Sequence, residues 1–450
     1  MQQAADVTPQ VPITRGRLLR ILGVGFGLAV IIGNTIGGGI VSTPGMIAQH
    51  LPNAWLFLGV WITGGLYALL GAFSIAELGT MMPRSGGQYV FAHDALGDYA
   101  GFIVGWTDWI STCGASSFIA LIIAQYAGAL FPKLAEHSTS VALSVVILFA
   151  VIQWNGIRMG SGVQNVTSVL KALAFVALVI ACFILGGSAS VPGSTPAPIP
   201  HGLTLFVAVI LSLQAVIYTY DGWTGVIYFS EEVKDPNRDI PRSMLGGVLS
   251  VIAIYLLVNL AILYVLPISE VAGSDLALGK AAQTIFGASG DRIFRTLMIV
   301  SMLSAVNACQ LMATRVLFAM SRDGLFSTKG ARANAGGTPT VALVFSTIIA
   351  SLFIATGTVD QVLAVVAFFF VVNYAISFAV VFILRRRAPA RPRPYKAWGY
   401  PWTTGFSLLG SVAFLASAIA GDTRNSIYAL IVLALSYPTF RVTRFLTSRG

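Results

Sequence analysis

The chain alternates long apolar stretches with short polar loops. Roughly 20 apolar residues span the hydrocarbon core of a bilayer, and twelve stretches approach or exceed that length. The predicted segments are 20–49, 54–82, 97–130, 140–155, 163–187, 203–230, 243–267, 291–320, 339–357, 359–384, 402–420 and 425–446. This pattern predicts an all-α integral membrane protein with twelve transmembrane helices.

The first and the sixth segments are interrupted near their centres. The stretch "GNTIGGG" at Gly33–Gly39 holds four glycines, an Asn and a Thr, and Asp221, Gly222 and Gly225 interrupt the sixth segment. Glycine favours a helix poorly, and polar side chains are costly in hydrocarbon. We therefore predict that both helices are discontinuous. Close packing between helices is another use of glycine in membranes, and the second break, with its Asp, weakens that alternative.

Two breaks placed five segments apart predict two repeats of opposite orientation. Interrupted segments in corresponding positions of two halves are typical of secondary transporters. On this division 20–187 is the first repeat, 203–384 is the second, and 402–446 carries two appended helices. Residues 1–19 and 447–450 are the predicted cytoplasmic terminal segments.

A break in a membrane helix frees backbone groups for a ligand. The N–H end of a half-helix suits a carboxylate, whereas the carbonyl end suits an ammonium. Such backbone is tolerated at this depth only where it is buried in protein or lines a cavity. A site with both ends therefore predicts recognition of an α-amino acid through its backbone.

Composition and charge agree with a membrane protein. Only 10% of the residues are charged and the mean hydropathy is +0.81, against about 25% charged residues in soluble domains. Most of the 27 Lys and Arg residues fall in alternate loops, as expected when cytoplasmic loops are basic. Both termini are therefore predicted to be cytoplasmic, and the net charge of +10 reflects topology instead of nucleic-acid binding. The N-terminal stretch lacks the regions of a signal peptide.

No motif for enzymatic chemistry or metal binding is apparent. Cys113, Cys182 and Cys309 fall in separate predicted helices, and neither they nor the four histidines have metal-ligand spacing. The sequence contains no phosphate-binding loop and no nucleophile elbow. We therefore predict a non-enzyme without a cofactor or metal site.

Several blocks of the sequence resemble the amino acid–polyamine–organocation (APC) superfamily. They are "IGNTIGGGIVSTPG" (Ile32–Gly45), "AELGTMMPRSGGQYVFAHDALG" (Ala76–Gly97), "YDGWTGVIYFSEEVKDPNRDIPR" (Tyr220–Arg242), "ATRVLFAMSRDGLF" (Ala313–Phe326) and "RRRAPARPRPYKAWGYPW" (Arg385–Trp402). The third block resembles the L-type amino acid transporter branch. The resemblance covers about residues 20–405, and it implies a LeuT-type 5+5 inverted-repeat fold and transport of amino acids or related amines.

The resemblance also implies candidate substrate contacts at both breaks. The family's carboxylate-binding amides fall on Gly37, Gly38 and Gly39, and Gly38 stands where many members have Ser. The amino group of the substrate would then meet carbonyls close to Thr35 in the first segment and to Tyr218 and Asp221 in the sixth. The full candidate set is Thr35, Gly37, Gly38, Gly39, Tyr218, Asp221 and Thr224.

Tyr218 and Asp221 each have two open interpretations. Tyr218 occupies the position of a family aromatic that covers the bound substrate, or it is a core or interface aromatic. Asp221 faces the pocket and attracts a cationic side chain, or it caps the N–H groups freed after the break.

Lys171 in the fifth segment also has two interpretations. Its side chain snorkels to the cytoplasmic surface if the hydrocarbon starts near Val169. Members of the L-type branch, by resemblance, place a lysine here, near the first break, where the LeuT-type fold can hold a sodium ion. The ammonium would then replace sodium, or it would bind and release a proton. The resemblance predicts sodium-independent transport.

Other polar residues of the segments have open roles. Asp108 is either a proton-relay carboxylate or a partner for polar groups between helices. Asn307, Gln310, Thr314 and Asn373 either line the pocket or join helices. Charged residues at the predicted cytoplasmic ends are either solvated or form ion pairs that close an inward gate: Glu77, Arg84, Glu231, Glu232, Asp235, Arg238, Arg242, Arg315, Arg322 and Asp323.

These features together predict a secondary carrier of amino acids that works by alternating access in the plasma (inner) membrane. Coupling is open between exchange and proton symport. The predicted partners are therefore an amino acid, a proton in the symport case, and the lipid bilayer, and no accessory subunit is indicated. The alternatives are a polyamine or organic-amine permease and, from a different class, a substrate-gated channel.

Overall fold

The computed structural model describes residues 17–187, 197–357, 359–421 and 423–447. These ranges are predominantly helical and contain no β-strand, apart from one isolated parallel bridge between Leu22 and Val233. The predicted all-α class is confirmed. Most of the two predicted terminal segments, 1–16 and 448–450, lies outside the described residues.

The helices follow one another with short connections. Before residue 188 they are α1 (Val24–Thr35), α2 (Gly39–His50), α3 (Ala54–Met81), α4 (Gln88–Leu96), α5 (Asp98–Leu130), α6 (Pro132–Ala135), α7 (Ser138–Trp154) and α8 (Ile157–Leu185). After residue 196 they are α9 (Gly202–Thr219), α10 (Pro236–Val265), α11 (Ile268–Val271), α12 (Ala277–Phe286), α13 (Gly290–Arg322), α14 (Thr340–Thr356), α15 (Val359–Arg387), α16 (Trp402–Gly421) and α17 (Thr423–Thr447). Short 3-10 helices are Gly225–Phe229, Gly287–Ser289 and Thr328–Ala331.

The chain is a multi-pass membrane protein. Within the described ranges, eight helical stretches are long and apolar enough to cross a bilayer, and the bent pair of α1 and α2 makes a ninth. Helices α7 and α14 are also apolar but have only 17 residues each. A helix lies in each of the twelve predicted segments, while the number of twelve crossings stays a prediction.

Four short helices, α4, α6, α11 and α12, occur where the sequence predicted loops, and α4 and α12 are the longer two. Helix α4 follows Gly86 and Gly87, whose φ angles are +131° and +67°, and it packs against α5. Helix α12 packs against α13, and its Ala277, Leu278 and Ala281 are fully buried. Both helices are too short to cross a membrane, so a search for membrane-length apolar stretches passes over them.

Both predicted interruptions are present. Helix α1 ends at Thr35 and α2 begins at Gly39, and their axes bend by 48°. Helix α9 ends at Thr219, and turns connect it to the 3-10 helix Gly225–Phe229.

The chain beyond the second break differs from the prediction. A helical half was expected on each side, yet the residues after Thr219 form turns, a five-residue 3-10 helix and further turns up to Val233. Gly222 and Gly225 disfavour a longer helix. All residues of the 3-10 helix are buried, so tertiary packing decides the conformation of this stretch.

Helix α13 lies at the centre of the bundle. It packs against α5, α8, α1 and α14, and every residue from Ser304 to Ser321 is buried. Large apolar side chains such as Leu173, Phe206 and Leu409 are instead exposed on the outer helices. That distribution suits a bundle whose outer surface faces acyl chains.

One end of the bundle, which we call the charged end, is defined by the ion pairs of Glu232 with Arg315 and of Glu77 with Arg385. The guanidinium of Arg315 donates two hydrogen bonds of 3.0 Å to the Glu232 carboxylate, and both side chains have an exposed fraction of 0%. Arg385 donates to Glu77 at 2.5 and 3.0 Å. The backbone N–H of Leu22, just before α1, donates to the Glu232 carbonyl at 2.9 Å. These contacts close the charged end.

The charged residues predicted for this end therefore divide into two groups. The Glu232–Arg315 pair is fully buried, and Glu77 is nearly so, with an exposed fraction of 1%. The pair of Arg322 and Glu231 is about one-third exposed, with fractions of 30% and 34%. Ion pairing is therefore present in both groups, and the second pair is also partly solvated, while the closing of an inward gate stays a prediction.

We expect unequal stability losses from these pairs. Replacing Arg315 or Glu232 singly by Met strands a buried charge and should destabilise the protein by about 3–5 kcal/mol. The double variant should lose less than the sum of the two singles. Thermal unfolding of the purified protein in detergent measures this. The matched control Arg322→Gln should cost about 0–1 kcal/mol, and losses as large as those for Arg315→Met would contradict the assignment.

Candidate functional site

A cavity of about 910 Å³ lies between the two breaks. Its wall is built from α1, α2, α5, α9, the turn after α9, α13 and α15. Every residue of the predicted substrate set contributes to it: Thr35, Gly37, Gly38, Gly39, Tyr218, Asp221 and Thr224. The fold thus brings residues from both breaks to one place, although their role in binding stays a prediction.

The backbone of the two breaks is in close contact. Gly222 has a φ of +109°, and a Cβ atom there would lie only 2.9 Å from the backbone nitrogen of Thr35. A Cβ atom on Gly39 would lie 2.9 Å from the hydroxyl oxygen of Thr219. Glycine is therefore required at both positions, because a larger residue would push the two breaks apart.

The amide side of the first break faces the cavity. Helix α2 begins at Gly39, and the first N–H groups of a helix have no acceptor within it. Gly37, Gly38 and Gly39 all line the cavity there. A Cβ atom on Gly38 would be 3.5 Å from Met302, an ordinary contact, so the Ser found in the resembled family would also fit.

The carbonyl side of the first break is occupied by a lysine. Lys171 Nζ donates to the carbonyl oxygen of Gly33 at 2.7 Å and also to that of Ile36. The hydroxyls of Ser301 and Ser304 donate to the oxygens of Ile36 and Gly33 at 3.3 and 3.4 Å respectively. Lys171 has an exposed fraction of 0%, so the snorkelling interpretation is wrong.

Tyr255 of α10 joins the two breaks and was not identified from the sequence. Its hydroxyl donates to the carbonyl of Thr35 at 2.7 Å and to that of Thr219 at 2.9 Å. The Thr35 carbonyl, a predicted contact for the substrate amino group, is therefore shared with Tyr255. A tyrosine inside an apolar segment has no distinguishing pattern, because core and interface tyrosines look the same in sequence.

Asp221 lies on the cavity wall with partners from two elements. It accepts a hydrogen bond from the hydroxyl of Tyr374 on α15 and one from the backbone N–H of Gly222. Thr224 also hydrogen-bonds Tyr374, whose ring stacks on Trp223 at 5.1 Å. Asp221 thus faces the cavity and also binds a freed amide, so the two interpretations are compatible. Tyr374 was missed because its segment carries no break.

Asp108 of α5 is paired with a tyrosine of the 3-10 helix. The Tyr228 hydroxyl lies 2.9 and 3.0 Å from the two carboxylate oxygens of Asp108, and Asp108 is 1% exposed. A Cβ atom on Gly87 would collide with the Tyr228 ring, so the turn before α4 packs directly on that ring. Asp108 therefore pairs with a polar group of another element, as one of the two interpretations of the sequence predicted.

Two of the polar residues of α13 with open roles, Asn307 and Gln310, join α13 to other helices, whereas Thr314 donates to the Gln310 carbonyl within α13. Asn307 donates to the side chain of Gln164 at 2.8 Å and accepts from Gln153 at 2.9 Å. Gln310 donates to the Val146 carbonyl at 2.8 Å. The described residues that line the cavity do not include Asn307, Gln310, Thr314 or Asn373.

The rest of the wall is mostly apolar. Phe118, Ile119, Ile122, Met302 and Phe370 are typical of it. Among the described lining residues the ionisable acids are Asp221 and Asp275, and there is no Lys, Arg or His. In the described part of the chain, no group of three His, Cys, Asp or Glu residues could hold a metal ion.

Comparison with known proteins points to one class of membrane protein. The family model for amino acid permeases matches residues 26–437. The chain is 30% identical to the serine/threonine exchanger SteT of Bacillus subtilis (strain 168) over 433 residues, which is 94% of this chain and 96% of that protein. It is 26% identical to the b(0,+)-type amino acid transporter 1 of Homo sapiens over 404 residues, covering 87% and 81% of the two chains. Against the large neutral amino acids transporter small subunit 2 of Mus musculus, identity is 25% over 407 residues, with 87% and 76% covered.

Two neighbouring glycines should respond differently to substitution. Gly39→Ala places a methyl group against Thr219 and separates the breaks, so we expect loss of ligand binding by at least ten-fold. Gly38→Ala meets only ordinary contacts and should change binding by a few-fold at most. Binding of radiolabelled amino acids to the purified variants measures both. If Gly38→Ala lost as much as Gly39→Ala, the proposed contact between the breaks would not set the site.

Proposed function

We propose, from the premise that this chain belongs to the amino acid permease family, that it exchanges amino acids across the plasma membrane without sodium. The family consists of transporters, so the chain is a transporter and not an enzyme. The exchange mode, the sodium independence and the identity of the binding residues are the content of the proposal.

One observation carries the proposal: the two breaks meet at a single cavity with opposite backbone groups on its wall. The amides at the start of α2 suit the carboxylate of an amino acid. The carbonyl ends of α1 and α9, at Thr35 and Thr219, suit its ammonium group, beside the hydroxyl of Tyr255. A ligand with a carboxylate and an amine on one carbon fits this arrangement, whereas a polyamine would leave the amides without a partner.

The arrangement is consistent with a twelve-helix LeuT-type fold. The two halves would be 20–187 and 203–384, with α1–α2 and α9 with its following turns as the interrupted elements. The positive-inside pattern places the charged end in the cytoplasm. The conformation of the structure would then face outward, because the charged end is closed by Glu232 and Arg315.

Alternating access requires the charged end to open while the opposite side closes. Opening would separate Leu22 from Glu232 and Glu232 from Arg315. Closing would bring α2 and α9 together over the substrate, with Tyr218 on the cavity wall as the covering aromatic. A channel is disfavoured because a fully buried ion pair blocks the path at the charged end.

Sodium independence follows from the place of Lys171. Its ammonium group donates to the carbonyl oxygens of Gly33 and Ile36, and the hydroxyls of Ser304 and Ser301 donate to the same two oxygens. Hard oxygen ligands of this kind suit a small cation, and the ammonium already supplies the charge. Exchange is further supported by the 30% identity to the serine/threonine exchanger from Bacillus subtilis.

Counterflow in proteoliposomes tests the exchange. We expect radiolabelled serine or threonine to enter sodium-free vesicles loaded with the same amino acids, and to enter empty vesicles at least ten-fold more slowly. The panel should include neutral, cationic and acidic amino acids and a polyamine. We expect the acidic compounds to be excluded, because the ionisable lining residues are acidic. Equal uptake into empty and loaded vesicles would refute exchange.

Lys171→Ala tests the substitute-cation role. Removing the ammonium leaves the carbonyls and hydroxyls without a cation, so sodium-free exchange should fall by more than ten-fold. Added sodium should restore part of it, because the oxygen cluster then binds the ion. Lys280→Ala is the matched control, since that exposed lysine pairs with Glu270 and its loss should have no effect. Full sodium-free activity of Lys171→Ala would overturn this role.

A further inference from the structure

The centre of the protein holds more buried acids than cations. Asp221 lines the cavity and accepts a hydrogen bond from Tyr374, whereas Asp108 is buried behind the lining and accepts one from Tyr228, which itself lines the cavity. Lys171, held by the carbonyls of α1, is the cation of this region. Counted as ions, the three groups leave one excess negative charge in a region of low dielectric, which is costly.

Asp108 is the more deeply buried of the two acids, and its partners are neutral hydroxyls. It is almost fully buried, and its carboxylate accepts from the Tyr228 hydroxyl, with the Thr112 hydroxyl also in reach. The Asp221 carboxylate acts on it as a like charge. Neutral hydroxyls compensate a buried carboxylate less than an ammonium or guanidinium does.

The ionisable groups on the elements around Asp108 contact other partners. From α13, Arg315 is bound to Glu232, and Cys309 lines the cavity. From α15, Tyr374 binds Asp221. From α4, Tyr89 and His93 face Asp323. From α8, Lys171 binds the carbonyls of the first break. No cation of the described residues forms an ion pair with Asp108.

We propose that Asp108 is a proton site linked to the charge of the substrate: it holds a proton when a neutral amino acid occupies the cavity and releases it when a cationic one does. The inference rests on the proposed function, since it concerns the same cavity. A cationic side chain beside Asp221 brings the missing positive charge itself. A neutral amino acid does not, so the proton supplies it.

The Asp108–Tyr228 pair also offers a way for a proton from the cavity to reach Asp108. A hydronium ion in the cavity gives a proton to the Tyr228 oxygen while the Tyr228 hydroxyl proton passes to one carboxylate oxygen of Asp108, so that water and the neutral acid remain. That O–H then donates to the Tyr228 oxygen, and the Tyr228 hydroxyl, no longer required by a carboxylate, can donate into the cavity that it lines. Tyr228 would thus bind a neutral polar substrate in the protonated state.

The proposal has a consequence for charge balance. Exchange of a neutral for a neutral amino acid moves no net proton. Exchange of an entering neutral amino acid for a leaving cationic one carries one proton inward, and it is therefore electrically silent. Without the proton, the same exchange moves one charge, and a membrane potential of 100 mV would change the accumulation ratio by about fifty-fold.

The test uses the full chain in sodium-free proteoliposomes that contain a trapped pH dye. Vesicles are loaded with arginine, and serine is added outside, with the potential clamped by potassium and valinomycin. We expect one proton to enter per serine exchanged, and no effect of the potential on the accumulation ratio. Serine-for-serine exchange should give no pH change. Potential-driven serine–arginine exchange without proton uptake overturns the proposal.

Asp108→Asn removes the site while keeping a group that can donate to Tyr228. In this variant, serine–arginine exchange should move no proton and should become potential-driven. Asp291→Asn is the control, because that exposed acid pairs only with Arg295 four residues along α13 in the described chain, and it should behave as the original protein. If Asp108→Asn does not fold, Tyr228→Phe replaces it: without the hydroxyl that links Asp108 to the cavity, serine–arginine exchange should again move no proton, and proton uptake that persists in this variant would overturn the assignment.

The failure of this inference differs from the failure of the proposed function. If no amino acid exchanges under any condition, the proposed function is wrong. If serine and arginine exchange while the internal pH stays constant, only the proton site is wrong. Proton uptake that persists in Asp108→Asn would place the site on another group and overturn the assignment to Asp108.

Discussion

The structure depends on satisfying the backbone groups that two broken helices free within a bilayer. Unpaired carbonyls at that depth are tolerated only where protein or a cavity surrounds them. Lys171 takes the last carbonyls of α1, at Gly33 and Ile36, and Tyr255 bridges Thr35 and Thr219. Both donors come from helices packed around the breaks. The amide side of the first break, by contrast, lies on the cavity wall, which makes it the natural place for an anionic group.

The two breaks can approach each other closely because glycine occupies the points where they touch. Gly222, with a positive φ, contacts the backbone at Thr35, and Gly39 lies against Thr219. The hydroxyls of Thr43 and Thr219 then bond each other at 2.8 Å. Backbone groups from the two halves of the chain can therefore contact the same ligand. One break by itself could not contact both the carboxylate and the ammonium group of an amino acid.

The charges of the protein are handled in three different ways. At the charged end, Glu232 and Arg315 neutralise each other in full burial. Lys171 is stabilised by carbonyl dipoles, and Asp108 and Asp221 accept hydrogen bonds from tyrosine hydroxyls, which carry no charge. The ion pair is balanced within itself, and both of its members must separate for the contact to open. The other groups are not paired with an opposite charge, and on the proposed function they would respond to the charge of the substrate.

The sequence by itself determined the class of structure and the position of both breaks. The signals are local in the sequence. Apolar runs of membrane length are what a spanning helix requires. The glycines of 33–39 and Asp221 are unfavourable in a helix within hydrocarbon, and they therefore mark the breaks. The predicted substrate residues follow from those breaks and from resemblance, and they do line one cavity.

Only the tertiary structure decided which side chains complete the site. Tyr255, Tyr374 and Tyr228 reach it from three elements that are distant in sequence, and a tyrosine in an apolar helix gives no sign of its partner. Burial of Lys171 likewise depends on the depth of α8 behind α1, which sequence spacing leaves open. The 3-10 helix after the second break formed because packing outweighed local propensity. Contacts between distant segments are set by how helices pack, and that information is not local to any one stretch of the chain.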